Sequence, residues 1–206
     1  MHFGTPERVP SAQALQAAAG LLDFVGLAEK AAIPARDLTL VNQKLLEVAR
    51  ALATKPDVLL LDEIMAGLNP TEITQAMELV SRIRGQGITI FMIEHVMKAI
   101  MSICDRIIVL HHGKKIAEGA PRALIETHIE PAVVEVFGEG LEAWTQAHAA
   151  QLCQRSERVG ETLFCYTTAP DNVIEALKHA PALRYLHRPS NLEDVFLKLT
   201  GRDLRD

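Results

Sequence analysis

The chain has 206 residues, of which 49% are hydrophobic and 23% charged, a balance that fits a folded globular protein and excludes a disordered one. Its net charge of −5, with no basic stripe, argues against nucleic-acid binding as the main activity, because that needs Lys and Arg to neutralise phosphates. No apolar run approaches the ~18 residues of a membrane span and no signal-peptide pattern opens the chain, so any membrane role has to run through a partner.

Met1 to Pro10 reads as a loop, and Ser11 is placed to cap a helix with Leu15, Ala18, Leu22 and Val25 on one face. Gly26 ends it. After a loop through Pro34 and Ala35, a helix starts near Asp37, Leu38 and Thr39 and carries Leu45, Val48, Ala49 and Leu52 on one side. Lys55 and Pro56 close that helix. Val58 to Leu61 is a continuous apolar run, too short for a globular helix, and predicts a strand buried on both faces. Asp62 and Glu63 stand at its C-terminal end, followed by the turn Gly67-Leu68-Asn69-Pro70. Thr71 is the expected cap of a helix with Ile73, Ala76, Met77, Val80 and Ile83 on one face, ended by Gly85 to Gly87. Ile88 to Ile93 is the next strand, with Glu94 and His95 at its end. A helix over 96–102, a strand over 106–110 and a Gly113 turn into 115–118 complete an alternation that means a parallel or mixed sheet.

The pattern changes after Gly119-Ala120-Pro121. Strands are expected at 132–137, 152–158, 161–167 and 183–187, and helices at 141–150, 171–179 and 191–199. That order, βαββαβ, is the split pattern of ferredoxin-like α+β domains. The expected organisation is therefore an α/β segment over 1–120 and a small accessory domain over 121–206.

Chemistry concentrates at the strand ends. In open α/β sheets ligands bind outside the carboxyl ends of the strands, and adjacent acids on a strand point in different directions, so Asp62 and Glu63 can take different tasks. One can hold Mg²⁺ while the other orients a water, the division that phosphoryl transfer needs. An acidic pair that merely ends a strand is the bland alternative. His95, on a neighbouring parallel strand, would reach the same sheet edge.

With these residues in view, the segment from Leu38 to Glu118 resembles the latter half of an ABC transporter nucleotide-binding domain. Leu59-Leu60-Leu61-Asp62-Glu63 is similar to its Walker B, Gly67-Leu68-Asn69-Pro70 to its D-loop, and Ile93-Glu94-His95 to its switch-histidine strand. Ala49-Arg50-Ala51-Leu52 stands where the helix after the signature motif carries the same residues. Residues 1–120 resemble, more narrowly, ATPases of branched-chain amino acid importers. Residues 121–206, through Glu161-Thr162-Leu163-Phe164-Cys165-Tyr166 and Asn191-Leu192-Glu193-Asp194-Val195-Phe196, resemble the C-terminal region of nodulation-factor (lipo-oligosaccharide) exporter ATPases.

The resemblance implies a P-loop-NTPase-like fold and ATP with Mg²⁺ as ligands. Position by position, Asp62 would hold Mg²⁺ through water, Glu63 would polarise the attacking water, and His95 would contact the γ-phosphate. Asn69 would communicate across a head-to-tail dimer with a second nucleotide-binding subunit. A membrane permease is the implied partner, which would hold the subunit on the cytoplasmic face of the membrane. Export of a lipo-oligosaccharide, drug or similar substrate is the preferred direction. Import of branched-chain amino acids, a noncatalytic truncated remnant, and an ATPase of nucleic-acid maintenance or translation are the alternatives.

Two departures from the family pattern bear on activity. Leu38-Thr39-Leu40-Val41-Asn42 stands where Leu-Ser-Gly-Gly-Gln is expected, so two glycines that permit close backbone approach to phosphate have become bulky. Thr39, Leu40, Val41 and Asn42 keep a helix N-terminus, and its amides, as a candidate phosphate contact. No Gly-x-x-x-x-Gly-Lys-Ser/Thr occurs anywhere in the 206 residues, and that loop cradles the nucleotide phosphates. The N-terminal half of the sheet is expected to be missing, and the chain alone is expected neither to bind ATP tightly nor to hydrolyse it.

Other residues carry no site. Cys104, Cys153 and Cys165 are odd in number and widely spaced, which suggests neither a disulfide framework nor a zinc cluster and fits a reducing cytoplasm. His111 and His112 point to opposite faces if they lie on a strand, which disfavours a shared metal. Trp144 and Tyr166 read as core or interface aromatics.

Overall fold

The computed structural model describes residues 11–201, which form two compact units, divided between Ala99 and Ile100. The loop expected over Met1 to Pro10 lies outside the described residues.

The first unit opens with α1 (Ser11–Phe24), followed by two short 3₁₀ turns and α2 (Leu40–Leu52). Thr39 is the N-cap of α2, its hydroxyl accepting from the Asn42 amide at 3.4 Å. Strand β1 (Val58–Asp62), helix α3 (Pro70–Gly85) and strand β2 (Thr89–Ile93) follow. β1 and β2 pair in parallel, with Val58 opposite Thr89, Leu60 opposite Phe91 and Asp62 opposite Ile93. Val48, Ala49 and Leu52 of α2, Leu59 and Leu61 of β1, and Ala76, Leu79, Val80 and Ile83 of α3 supply buried side chains to this unit.

Two expectations change here. The N-cap of α3 is Asn69 rather than Thr71. Pro70 has a fixed φ and no amide hydrogen, which suits it to the first helical position and puts the cap one residue earlier. Asn69 Oδ1 accepts from the Thr71 and Glu72 amides, each at 3.0 Å, and Glu72 Oε2 accepts from the Asn69 amide at 2.8 Å, a complete capping box. β1 is buried on one face only: Leu59 and Leu61 face inward, while Val58 and Leu60 are open to solvent. Its continuous apolar run suits a two-sided burial for which the described residues supply one cover.

Helix α4 (Met97–Ile103) crosses from the first unit into the second. The second unit then begins its sheets with the antiparallel hairpin β3 (Ile107–His111) and β4 (Lys114–Gly119). Helix α5 (Pro121–His128), absent from the sequence reading, follows with Pro121 in its first turn and Leu124 buried. Next come β5 (Ala132–Gly138), α6 (Leu141–Trp144), a π-helical turn over Thr145–Ala149 and α7 (Ala150–Leu152). The unit ends with β6 (Arg155–Val159), β7 (Thr162–Thr167), α8 (Pro170–Leu177), β8 (Leu183–Pro189) and α9 (Leu192–Thr200). The strand order is β6-β7-β5-β8, antiparallel throughout, as the βαββαβ reading requires.

Alternation along the strands divides this sheet between two cores. Val134 and Val136 of β5 with Leu163 and Cys165 of β7 pack against Leu141 and Trp144 of α6 and Val173 and Leu177 of α8. Val133 and Tyr166 pack on the other side against Ile129 and Val195, with Ile125 of α5 and Leu199 of α9 beside them. Both faces of β5 and β7 are therefore covered. Gly138 lets β5 meet β8 closely: a Cβ there would lie 2.5 Å from the Ala182 carbonyl oxygen.

A candidate nucleotide-hydrolysis edge

The in-register parallel pairing of β1 with β2 brings the expected residues to one edge. Because Asp62 lies opposite Ile93, Glu63 and His95 leave their strands side by side. The ladder continues one residue further, the Glu63 amide donating to the Ile93 carbonyl at 2.9 Å. His95 Nδ1 then lies 3.5 Å from Glu63 Oε1, with both side chains more than half exposed. At that exposure the pair adds little to stability. Asp62 is also exposed, on the same face of β1 as Val58 and Leu60.

Glu63 has φ of +45°, a left-handed conformation that costs a non-glycine residue about 1 kcal/mol or more. Two residues that the sequence reading left without a role hold the turn behind it. Lys44 of α2 donates from Nζ to the Glu63 carbonyl at 3.0 Å and the Ala66 carbonyl at 2.8 Å. Glu94 Oε1 accepts from the Met65 amide at 2.9 Å, and Met65 is buried. The other Glu94 oxygen is buried without a hydrogen-bond partner. One signal for Lys44 was in the sequence: it is a cation next to Leu45 on the helix face that buries Val48 and Leu52.

Thr39, Val41 and Asn42 line a cleft of about 570 Å³ with Lys44, Ile64, Leu68 and Glu72, and neither Glu63 nor His95 lines it. Leu40 is exposed. Lys44 belongs to both places, touching the Glu63 turn and lining the cleft. Asn69, expected to act between subunits, spends its side-chain oxygen on the α3 cap.

Among the described residues no group of three or more His, Cys, Asp or Glu is arranged to hold a metal. Mg²⁺ at a nucleotide is held by one or two carboxylates, with waters and the substrate phosphates completing the shell; Asp62 stands exposed at the carboxyl end of β1. No helix among the described residues is long and apolar enough to cross a membrane.

A strand ending in Asp-Glu, a parallel neighbour ending in His, and a capped turn between them define a segment of an ATP-binding cassette. Solved cassettes share the fold. MJ1267, an ATP-binding cassette of an ABC transporter in its ADP conformation, superposes with a TM-score of 0.52 at 28% identity, over 62% of this chain and 49% of that one. The cbiO1 protein of Clostridium perfringens, part of the ABC transporter complex cbiONQ, gives 0.54 at 23% identity over 69% and 53%.

The particular family follows from whole-chain similarity. The Nod factor export ATP-binding protein I of Cupriavidus metallidurans is 41% identical over 99% of this chain and 67% of its own length. That of Ralstonia nicotianae is 42% identical over 99% of this chain and 65% of its own length. Residues 142–201 match the family model of the C-terminal domain of the nodulation factor export protein NodI. The chain belongs to the Nod factor export ATP-binding protein family, and a single relative aligns across both of its units. It spans 65% of the length of the Ralstonia relative.

Proposed function

We propose that this chain is the water-activating part of the ATP-binding subunit of an ABC exporter for a lipo-oligosaccharide or similar substrate. The observation that carries the reading is the Glu63–His95 pair, 3.5 Å apart at the shared end of two parallel strands. Residues 1–120 supply the catalytic segment and residues 121–206 an accessory domain.

Glu63 accepts a hydrogen bond from the attacking water and orients it in line with the terminal phosphate, while His95 fixes the carboxylate through Oε1 and faces the γ-phosphate. The left-handed backbone at Glu63, held through its carbonyl by Lys44, sets the direction of that carboxylate before substrate arrives, so little reorganisation remains at the moment of reaction. Asp62 would hold a Mg²⁺ through water, and the ion would supply charge neutralisation at the phosphates. Thr39, Leu40, Val41 and Asn42 offer the α2 N-terminus to a phosphate of a second nucleotide-binding subunit. A permease would hold the assembly at the cytoplasmic face of the membrane.

The loop that cradles the phosphates has no counterpart in these 206 residues, so ATP affinity has to come from polypeptide joined to this segment or assembled with it. A noncatalytic role is the second reading, favoured by Leu40 and Val41 in place of the signature glycines. Calorimetric titration of Mg-ATP into the isolated 206-residue chain tests the division of labour. No binding in the micromolar range is expected; micromolar affinity would refute it.

A further inference from the structure

We infer that Cys153 and Cys165 of the second unit form a peroxide-responsive thiol pair, in which Cys153 is the nucleophile and Cys165 the thiol that resolves it to a disulfide.

Strand alternation alone would keep these two cysteines apart. Arg155 lies opposite Tyr166 in the β6–β7 ladder and stacks over its ring at 3.6 Å, on the sheet face where Tyr166 packs with Val133 and Val195. Counting back by two from Arg155 puts Cys153 on that same face, away from Cys165. The chain breaks that count. The Gln154 amide donates to the Tyr166 carbonyl at 3.0 Å, so Gln154 and Arg155 together oppose one residue. That is a β-bulge, and its extra residue turns Cys153 onto the other face. Cys153 accordingly packs against the core cluster that holds Cys165, Trp144 and Leu163.

The bulge also sets the spacing. With Gln154 opposite Tyr166, Cys153 comes beside Thr167, whose hydroxyl donates to the Leu152 carbonyl at 3.2 Å. Thr167 is two residues from Cys165 and on the same face of β7, so the cysteines are diagonal neighbours. Diagonal pairs across antiparallel strands have Cα atoms ~7 Å apart, at the upper end of what a disulfide spans. The thiols already meet in a hydrogen bond, Cys165 donating to the Cys153 sulfur. β6 is an edge strand of its sheet, so a small inward shift at its start closes the bond.

The two sulfurs are not equivalent. Cys165 is fully buried and Cys153 half-buried, so an oxidant reaches Cys153 first. The hydrogen bond from Cys165 lowers the Cys153 thiol from its ordinary value; the same bond, together with burial, pushes Cys165 up. The thiolate is the nucleophilic form. Cys153 as thiolate attacks one oxygen of hydrogen peroxide: an S–O bond forms, the O–O bond breaks and hydroxide leaves, which oxidises Cys153 to a sulfenic acid. The hydroxide takes up the proton that Cys153 had released. The Cys165 sulfur then attacks the Cys153 sulfur; the S–S bond forms, the S–O bond breaks, and the hydroxyl leaves as water with the Cys165 proton. Two thiols and one peroxide become one disulfide and two waters.

The test treats the folded 206-residue chain with hydrogen peroxide, alkylates the remaining thiols, and maps tryptic peptides by mass spectrometry without reduction. Arg155 and Arg158 lie between the two cysteines, so trypsin separates them unless they are bonded. The expected product is a Cys153–Cys165 cross-link that dithiothreitol reverses, formed while Cys104, in the α4–β3 connection, is still alkylated. Cys165→Ala should slow iodoacetamide alkylation of Cys153 about tenfold at neutral pH, because the thiolate loses its hydrogen bond, and should leave the Cys153 sulfenic acid open to trapping by dimedone. Cys153→Ser should leave Cys165 unmodified by peroxide. Circular dichroism checks that each variant has folded, and the cross-link in the unmodified chain needs no variant.

A cross-link through Cys104 would overturn the inference. So would oxidation of Cys153 to the sulfinic acid with Cys165 still a thiol, a folded chain in which Cys153 does not react, or an unaltered rate of Cys153 alkylation in Cys165→Ala.

Discussion

β1 and β5 are both apolar strands, and they meet water differently. On β5, Val133, Val134 and Val136 are all fully buried, because α6 and α8 pack on one face while α5 and α9 close the other. On β1, Leu59 and Leu61 are buried while Val58 and Leu60 are open. The antiparallel sheet of the second unit carries its covers on the short connections between and beside its strands. In the parallel pair of the first unit, the described residues cover one face of β1 and leave the other open. A continuous apolar run thus says that both faces of a strand are meant to be covered, and leaves open which polypeptide covers them.

The second unit holds a buried polar cluster with no counterpart among the described residues of the first. Arg188 donates from Nη1 to Asp194 Oδ2 at 2.7 Å, from Nη2 to Asp194 Oδ1 at 3.0 Å, and from Nε to Glu135 Oε1 at 2.6 Å. The Tyr166 hydroxyl donates to Asp194 Oδ1 at 3.2 Å, and the Asn191 amide to Oδ2 at 2.8 Å. Asp194 itself is 4% exposed. The Leu-Glu-Asp-Val-Phe ending therefore does more than present an apolar helix face. Its Asp is both the third helical residue of a capping box and the hub that joins α9 to β8, β7 and, through Arg188, β5.

If the two units differ in this way, damage to the hub has to stay in the second. Asp194→Ala takes from Arg188 one of its two carboxylate partners and from the Tyr166 hydroxyl and the Asn191 amide their acceptor, and should cost about 3 to 5 kcal/mol. Trp144, the one tryptophan of the chain, lies in the second unit and reports its unfolding by fluorescence. The expected result is a loss of roughly 10 °C or more in that transition, with amide exchange in β1 and β2 unchanged. A parallel loss of protection in β1 and β2 would break the comparison.

A smaller effect comes from pH. Burial, and then the Asp194 carboxylate beside its hydroxyl, push the Tyr166 phenol up to about 12. The folded state thus holds a proton that the unfolded chain releases near the ordinary value of about 10. Its contribution is complete below pH 10 and is lost as pH rises toward 12, by roughly 2 to 3 kcal/mol over the window. Denaturant titrations followed at Trp144 should show that decline. Tyr166→Phe should flatten it; an unchanged slope in that variant would assign the decline to other groups.

Much of this molecule was legible in its residues. Alternation and helical spacing placed the strands of both units within a few residues, and the βαββαβ order gave the sheet of the second. The placement of Asp62, Glu63 and His95 at one sheet edge was legible because they follow apolar runs, and parallel pairing carries run ends to one edge. What escaped depends on contacts between distant residues. Lys44 reaches Glu63 and Ala66 across 19 and 22 positions, and Glu94 reaches Met65 across 29, distances that no periodicity encodes. Helix α5 escaped because Pro121 reads as a boundary and is here a first-turn residue. The tie from Asp194 to Arg188 escaped because a capping residue gives no sign of a second partner.

The most direct test of the account joins the third of the Ralstonia relative that this chain does not match to this chain and compares Glu63→Gln with the unmodified protein, measuring Mg-ATP affinity and steady-state hydrolysis on the same preparations. The account predicts a loss of turnover of about 100-fold or more with nucleotide affinity unchanged. Hydrolysis that survives Glu63→Gln, or that falls only in proportion to lost binding, would contradict it.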